Sequence, residues 1–313
     1  MVEKGALLEA VQRVHGYIHK TPVLSSVSIN EILGLNVYFK CENFQKMGAF
    51  KMRGATNAIL SLSDEERDRG VVTHSSGNFA QAVALAAKKT STKATIVMPT
   101  SAPAIKKRAV IGYGADVVDC PPTQQDREET AERIRIEQGA SFLHPSNQME
   151  VIVGNSTAGI ELVDQVDNLN AIFTPVGGGG LIAGTALAAH HFGDEVKVYG
   201  GEPSGADDAF RSLKAGYVIP VENPNTIADG LRTSLGDVNF PIISDLVEEI
   251  FLVEEQEIVD AMRLVWERMK IIIEPSSAVA LAALIKNKEQ FKNQHVAIII
   301  SGGNVELEKL PFK

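Results

Sequence analysis

Short apolar runs alternate with stretches of helical spacing along most of the chain. The runs are NVYFKC (36–41), GVVTHS (70–75), KATIVMP (93–99), ADVVDC (115–120), AIFTPV (171–176), VKVYGG (196–201), EIFLV (249–253) and VAIIIS (296–301). Between them FAQAVALAAKK (79–89), REETAERIRIEQ (127–138) and EIVDAMRLVWERMK (257–270) predict helices, as does the spacing of Leu7, Val11 and Val14. Most of the runs are apolar throughout instead of alternating, the pattern of parallel strands covered on both faces. Repeated βα order with such strands predicts an α/β fold built on open parallel sheets.

Length and composition narrow the class. At 313 residues the chain has room for two domains, or for one large domain with a lobe inserted in it. A net charge of −9 argues against nucleic acid or an anionic membrane as the main partner. The first residues carry acids and no apolar core of a signal peptide, and AVALAALI (278–285) is too short to span a bilayer. Cys41 and Cys120 fit no metal-ligand spacing and read as reduced thiols. The expectation is a cytoplasmic protein with small-molecule partners.

Chemistry is concentrated where strands end. SSGN, GGGG and SGGN each follow one of the apolar runs, and ligands of open parallel sheets bind outside the carboxyl ends of the strands. In PVGGGGLIAG (175–184) four glycines open a helix, so backbone N–H groups can close on a phosphate. A mobile turn is the plain alternative, but four glycines in a row cost too much entropy to be left unheld. Gly178, Gly180 and Ala183 also satisfy the loose dinucleotide pattern, with Glu202 as the acid for a ribose, which keeps a nicotinamide-dependent oxidoreductase open. HSSGNFAQ (74–81) offers hydroxyls and an amide at a helix start, where Ser76 or Asn78 can also act as a simple cap. In GAFKMRGA (48–55) Lys51 stands among Ala49, Phe50 and Met52. A lysine at a helix start ordinarily reaches for water; one stripped of water has a lowered pKa and forms Schiff bases.

GAFKMRGA, HSSGNFAQ, PVGGGGLIAG and SGGN, in this order, resemble the fold-type II pyridoxal-phosphate enzymes of the serine/threonine dehydratase group over nearly the whole chain. GEPSGADDAF (201–210), TIADGLRTS (226–234) and LVWERMKIIIEPSS (264–277) are most similar to its serine racemase branch. The resemblance implies two parallel-sheet domains with the site between them. A large cofactor-binding domain would take residues 1–69 and 147–313, and a small one residues 70–146. Lys51 would bind the cofactor as an imine and act as base at Cα, Phe50 would pack on the ring, and Asn78 would meet its phenolic oxygen. Gly177, Gly178, Gly179 and Gly180 would hold the phosphate, and Ser301 would face the pyridine nitrogen. Ser76 would be the second acid/base. Ser75, Ser76 and Asn78 would bind the substrate carboxylate, with Arg127 and Thr233 at its distal group. Glu202, Asp208 and the carbonyl of Ala206 would hold a divalent cation, Mg²⁺ or Ca²⁺, with Mn²⁺ as a further candidate. A homodimer is implied as well.

The implied activity is interconversion of L- and D-serine with elimination of water from serine and threonine. A 3-hydroxyaspartate dehydratase, with Arg127 on the extra carboxylate, is the alternative. A serine at the pyridine nitrogen is expected to leave the ring unprotonated, which favours elimination. Ala49 stands where the family usually has serine, and Phe79 where it has histidine; both bear on substrate preference and rate.

Overall fold

The computed structural model describes residues 2–102 and 104–312. Its strands are β1 (Val23–Ser25), β2 (Asn36–Cys41), β3 (Val71–His74), β4 (Ala94–Pro99), β5 (Asp116–Cys120), β6 (Ser141–Phe142), β7 (Ala171–Pro175), β8 (Lys197–Pro203), β9 (Val247–Val253) and β10 (His295–Ile300). The helices are α1 (Lys4–Val14), α2 (Val27–Leu33), α3 (Lys51–Leu60), α4 (Asp64–Arg69), α5 (Asn78–Lys89), α6 (Ala104–Gly112) and α7 (Gln124–Gln138). They continue with α8 (Met149–Gln165), α9 (Gly180–Phe192), α10 (Asp208–Ala215), α11 (Phe240–Leu246), α12 (Glu255–Met269) and α13 (Pro275–Asn287).

Two sheets organise them. The larger runs β1-β2-β10-β7-β8-β9 and the smaller β5-β4-β3-β6. Every pairing is parallel except β1 on β2, an antiparallel edge that the apolar runs did not announce. Strand β10 shows why the runs are continuous. Val296, Ile298 and Ile300 pack into the core beneath α12 and α13. Ala297 and Ile299 face the opposite core, formed with α1, α8 and α9. Both faces are covered, so no position is left for a polar residue.

Helix α3 connects the two parts. Met52, Ala55, Ala58 and Ile59 pack with Phe79, Ala80 and Val83 of α5 in the core beside the small sheet, where Val151 of α8 also sits. Gly54 and Gly154 let α3 and α8 touch backbone to backbone: a Cβ on Gly154 would stand 2.8 Å from the Arg53 carbonyl oxygen. Arg53, fully buried, fixes the helix electrostatically. Its Nε and Nη2 donate to Glu42 at 2.7 and 2.8 Å, and its Nη1 and Nη2 to Glu161, both at 2.8 Å. Lys40 completes the cluster by donating to Glu161 at 2.6 Å. Two cations thus face two carboxylates, one of them bidentate on each side of the guanidinium fork. No helix among the described residues is long and apolar enough to cross a membrane. Both cysteines are buried free thiols.

Candidate active site

Lys51 is the first residue of α3, and the turn before it is forced into position. Met47 and Gly48 both take left-handed backbone (φ 59° and 77°), a conformation that costs a non-glycine residue energy and persists only where neighbours impose it. The imposition comes from the far end of the chain. Ala49 bridges to Gly302, the Phe50 amide donates to the Ser301 carbonyl at 2.9 Å, and the Gly303 amide donates to the Gly48 carbonyl at 2.9 Å. The lysine that follows has little choice of direction.

Its amine donates to the Pro145 carbonyl at 2.7 Å and lies 5.0 and 5.6 Å from the ring centroids of Phe50 and Phe79. Burial pushes its pKa down to about 8, against a weaker opposing pull from Glu274. A helix N-terminus adds to the burden on an ammonium, because its partial charge is positive. Glu274 is itself hidden, and burial raises its carboxyl to about 7. It accepts from Asn78 Nδ2 at 3.0 and 3.1 Å and from the Asn304 amide at 3.2 Å. Asn304 Nδ2 in turn donates to Asn78 Oδ1 at 2.9 Å, closing a ring of polar contacts between SSGN, SGGN and the start of α13.

The glycine run lies between β7 and α9. Gly179 is left-handed (φ 80°). A Cβ on Gly178 would come within 2.4 Å of Ser146 Oγ and 3.1 Å of Thr233 Oγ1, and one on Gly177 within 2.8 Å of the Leu231 Cα. Side chains at these places would fill the cradle. Asn239 holds its rim, donating to the carbonyls of Gly178 (2.9 Å) and Ser146 (3.2 Å). The segment 144–147 joins the cradle to the lysine, since Pro145 receives Lys51 and Ser146 abuts Gly178 and Gly180. His144 Nδ1 accepts from the amides of Ser146 (3.2 Å) and Asn147 (2.8 Å), which puts the ring proton on Nε2. Burial, helped by His74 and Lys51, lowers its pKa to about 4, so the imidazole is neutral.

The residues named from sequence fall into three groups. Phe50 meets Lys51 and Ser301 directly, Asn78 binds Glu274, whose charge reaches Lys51, and Gly178 lies beside Thr233. Ser75 and Ser76 occupy the turn between β3 and α5, where Ser75 Oγ accepts from the Gly77 amide at 3.3 Å. Arg127 stands in the first turn of α7 and donates to the Thr123 carbonyl at 3.3 Å. Its charge is felt at His74 and Cys120, and no contact among the described residues joins it to the Lys51 group. His144, Pro145, Ser146, Asn239, Glu274 and Ser277 were not singled out in the sequence. The apolar lead-in to an isolated acid in IIIEP was the one available signal for Glu274.

Glu202 and Asp208 form a separate buried site, each 1% exposed. Glu202 spends its oxygens on the amides of Ala209 (2.9 Å) and Phe210 (2.8 Å). It therefore points at α10, not at a ribose, and the dinucleotide reading of the glycine run loses its acid. Burial raises the Glu202 carboxyl well above its ordinary value, and that of Asp208 to about 6. Asp208 Oδ2 has no hydrogen-bond partner. Ala206 closes the short turn between the two acids. No cluster of three His, Cys, Asp or Glu ligands exists among the described residues, so any cation there would also need carbonyl or water oxygens. Two buried carboxyls with an orphaned oxygen fit a hard divalent ion.

A partly buried lysine with a lowered pKa and a run of glycines lie together beside the ends of parallel strands. The family model described as "Pyridoxal-phosphate dependent enzyme" matches residues 14–302. The chain belongs to the pyridoxal-phosphate-dependent enzymes. It is 51% identical to a serine racemase of Dictyostelium discoideum over 96% of this chain and 94% of that one. It is 46% identical to a beta-hydroxyaspartate dehydratase of Paracoccus denitrificans over 98% and 97% of the two chains. The crystal structure of the Dictyostelium serine racemase superposes with a TM-score of 0.93 at 50% identity, covering 97% of this chain and 98% of that one. The maize serine racemase gives 0.96 at 44% identity, over 99% and 95%. This pyridoxal-phosphate enzyme has the fold-type II architecture. With the family in place, the nicotinamide alternative is discarded.

Proposed function

We propose that the chain is a serine racemase/dehydratase, interconverting L- and D-serine and releasing a 2-oxo acid and ammonia from L-serine and L-threonine. The observation that carries this reading is the Lys51 amine, partly buried and with no hydrogen-bonded carboxylate, facing Phe50 and Phe79 beside a glycine cradle. When bound, pyridoxal phosphate supplies an electron sink that acidifies Cα of an attached amino acid.

The chain's own residues supply the rest. Lys51, half of it neutral near pH 8, takes up a proton at Cα. Ser76 returns one from the other side. Gly177 to Gly180 close on the phosphate with backbone N–H groups at the start of α9. Phe50 would pack on the ring, Asn78 would orient its phenolic oxygen, and Ser301 would meet its nitrogen. Ser75, Ser76 and Asn78 receive the substrate carboxylate, with Thr233 toward the distal group. Loss of the β-hydroxyl leads to keto acid; proton return on the opposite face leads to the enantiomer.

Residues 70–146 serve as a small domain against a large one of 1–69 and 147–313. The small sheet lies wholly within the first range, and the contacts that cross the division include Asn78 with Glu274, Lys51 with the Pro145 carbonyl and the Lys106–Asp229 ion pair at 3.0 Å. Closure of these parts would exclude water from the reacting carbon. The Glu202–Ala206–Asp208 site takes Mg²⁺ or a similar cation, supported by the unpartnered Asp208 oxygen. The enzyme acts as a cytoplasmic homodimer. A second reading, dehydration of 3-hydroxyaspartate, is favoured by the 46% identity to the Paracoccus enzyme, with Arg127 on the second carboxylate.

The test is keto-acid release from L-serine, L-threonine and the 3-hydroxyaspartate isomers in Mg²⁺, together with D-serine formation. Lys51→Ala is expected to lose both turnover and the visible absorbance of bound cofactor. A Lys51→Ala protein that keeps both would end the reading. Preference for hydroxyaspartate by orders of magnitude, abolished in Arg127→Ala, would move the assignment to the second reading.

A further inference from the structure

Asn239 stands at the N-cap of α11, where an asparagine ordinarily caps its own helix, and its side chain makes no such bond. It is fully buried and turned the other way. Its Nδ2 donates to the Gly178 carbonyl at 2.9 Å and to the Ser146 carbonyl at 3.2 Å, and its Oδ1 accepts from the Gly236 amide at 3.1 Å. Only one orientation of the side-chain amide satisfies these neighbours. Two carbonyls can only accept and an N–H can only donate, so exchanging the nitrogen and oxygen would break all three bonds at once. The turn that carries Asn239 is anchored separately. Asn147 Nδ2 donates to Asp237 at 2.8 Å, and Asn147 Oδ1 accepts from the Val238 amide at 2.8 Å.

The effect falls on the glycine run. A Cβ on Gly179 would meet Leu235, Asn239 and Ile243 at 2.7, 2.8 and 2.9 Å, so these three side chains form the floor beneath it. In a trans peptide the carbonyl and the following N–H point in opposite directions. With the Gly178 carbonyl drawn down to Asn239, the Gly179 N–H is turned up, away from the floor. Left-handed backbone at Gly179 (φ 80°) then leads into α9, whose first N–H groups have no helical partner. Among the described residues the amides of Gly177, Gly178 and Gly179 donate to no backbone carbonyl. Without the pull of Asn239 the 178–179 peptide could rotate, since glycine on both sides offers little resistance, and its carbonyl would then face an anion.

We propose that Asn239 is a positioning residue for phosphate recognition, which holds the 178–179 peptide with its N–H toward the cradle and its carbonyl away from it. This rests on the reading above, in which Gly177 to Gly180 hold the cofactor's phosphate. Asn239 then serves the phosphate and not the aldehyde, which Lys51 captures on its own.

The experiment compares two probes on the full chain freed of cofactor: pyridoxal phosphate, and pyridoxal, which has the aldehyde and lacks the phosphate. Binding of each is followed by visible absorbance. Asn239→Leu keeps the size of the side chain and removes both donors. It is expected to weaken pyridoxal phosphate about tenfold or more, the worth of one hydrogen bond to a charged group, and to leave pyridoxal within about twofold. Asn239→Ala, which leaves room in place of filling it, carries the same comparison if the leucine variant does not fold. Equal loss for both probes would make Asn239 a merely structural residue and overturn the proposal; so would no loss for either. Gly178→Ala separates this from the reading beneath it, because its Cβ would crowd Ser146 Oγ at 2.4 Å. If Gly178→Ala loses the preference for the phosphorylated probe while Asn239→Leu keeps it, the cradle stands and the proposal falls. If Gly178→Ala keeps that preference as well, the phosphate is not held there, and both fall.

Discussion

Lys40 is fully buried and Lys51 partly so, and they meet opposite ends. Lys40 Nζ donates to Glu161 (2.6 Å), Gln165 (2.7 Å) and the Thr21 carbonyl (2.9 Å), so all three of its protons are used. Burial still lowers its pKa, but Glu161 and Glu42 pull the other way. Lys51 has one neutral carbonyl and two phenyl rings. Its nearest source of negative charge, Glu274, is held back by a carboxyl that burial keeps near half-protonation at neutral pH. Burial alone therefore does not make a nucleophile. Withholding the countercharge does.

The comparison is broken most severely by removing a charge from the satisfied cluster. Arg53→Met leaves Glu42 and Glu161 facing each other with only Lys40 between them, and should cost about 3–5 kcal/mol, read from urea midpoints. Lys51→Met removes a charge that has no carboxylate partner. Its midpoint at pH 7 should stay level or rise while turnover falls to background; a loss as large as that of Arg53→Met would show that the two sites are alike.

The next effect is in pH. Only the neutral amine captures the cofactor, so the rate at which cofactor-free protein regains visible absorbance should climb roughly tenfold per pH unit and level off near pH 8. Levelling near the ordinary lysine value would mean that Lys51 is as well supported as Lys40.

Asp208 tests the same idea with the sign reversed, as a buried acid in want of a cation. Mg²⁺ should raise the melting temperature of the wild type in a concentration-dependent way, EDTA should reverse it, and Asp208→Asn should respond to neither. The smallest effect belongs to the surface. Arg133 and Glu137 pair at 3.0 Å with both side chains more than half exposed, and Arg133→Ala should change stability by less than about 0.5 kcal/mol.

Much of this architecture could be read from the chain because its strands are covered on both faces. NVYFKC became β2 with its limits unchanged, and the other runs fall within one to two residues of β3, β4, β5, β7, β8, β9 and β10. β1 and β6, three and two residues long, are too short for any period to show, and β1 owes its place to pairing with β2. In the site, glycine clusters were visible because a cradle needs them in sequence. Glu274 and Ser277 were not, because their meaning comes from Asn78 and Ser301, which reach them only through the fold. Lys40 and Arg53 were hidden for a related reason. A lone cation in a strand or helix looks the same whether it meets water or Glu161, more than a hundred residues further along the chain.

The larger sheet places β10 between β2 and β7. The turn that aims Lys51 is held by Ser301, Gly302 and Gly303, which come just after that strand. On the ribosome, the segment around residues 47–51 thus waits for nearly the whole chain before it can take its strained backbone. Loop closure over that distance is slow to pay back its entropy. Until β10 is inserted, β2 and β7 have open edges and the cofactor has no finished place to land. A late-arriving strand ties completion of the site to closure of the larger sheet.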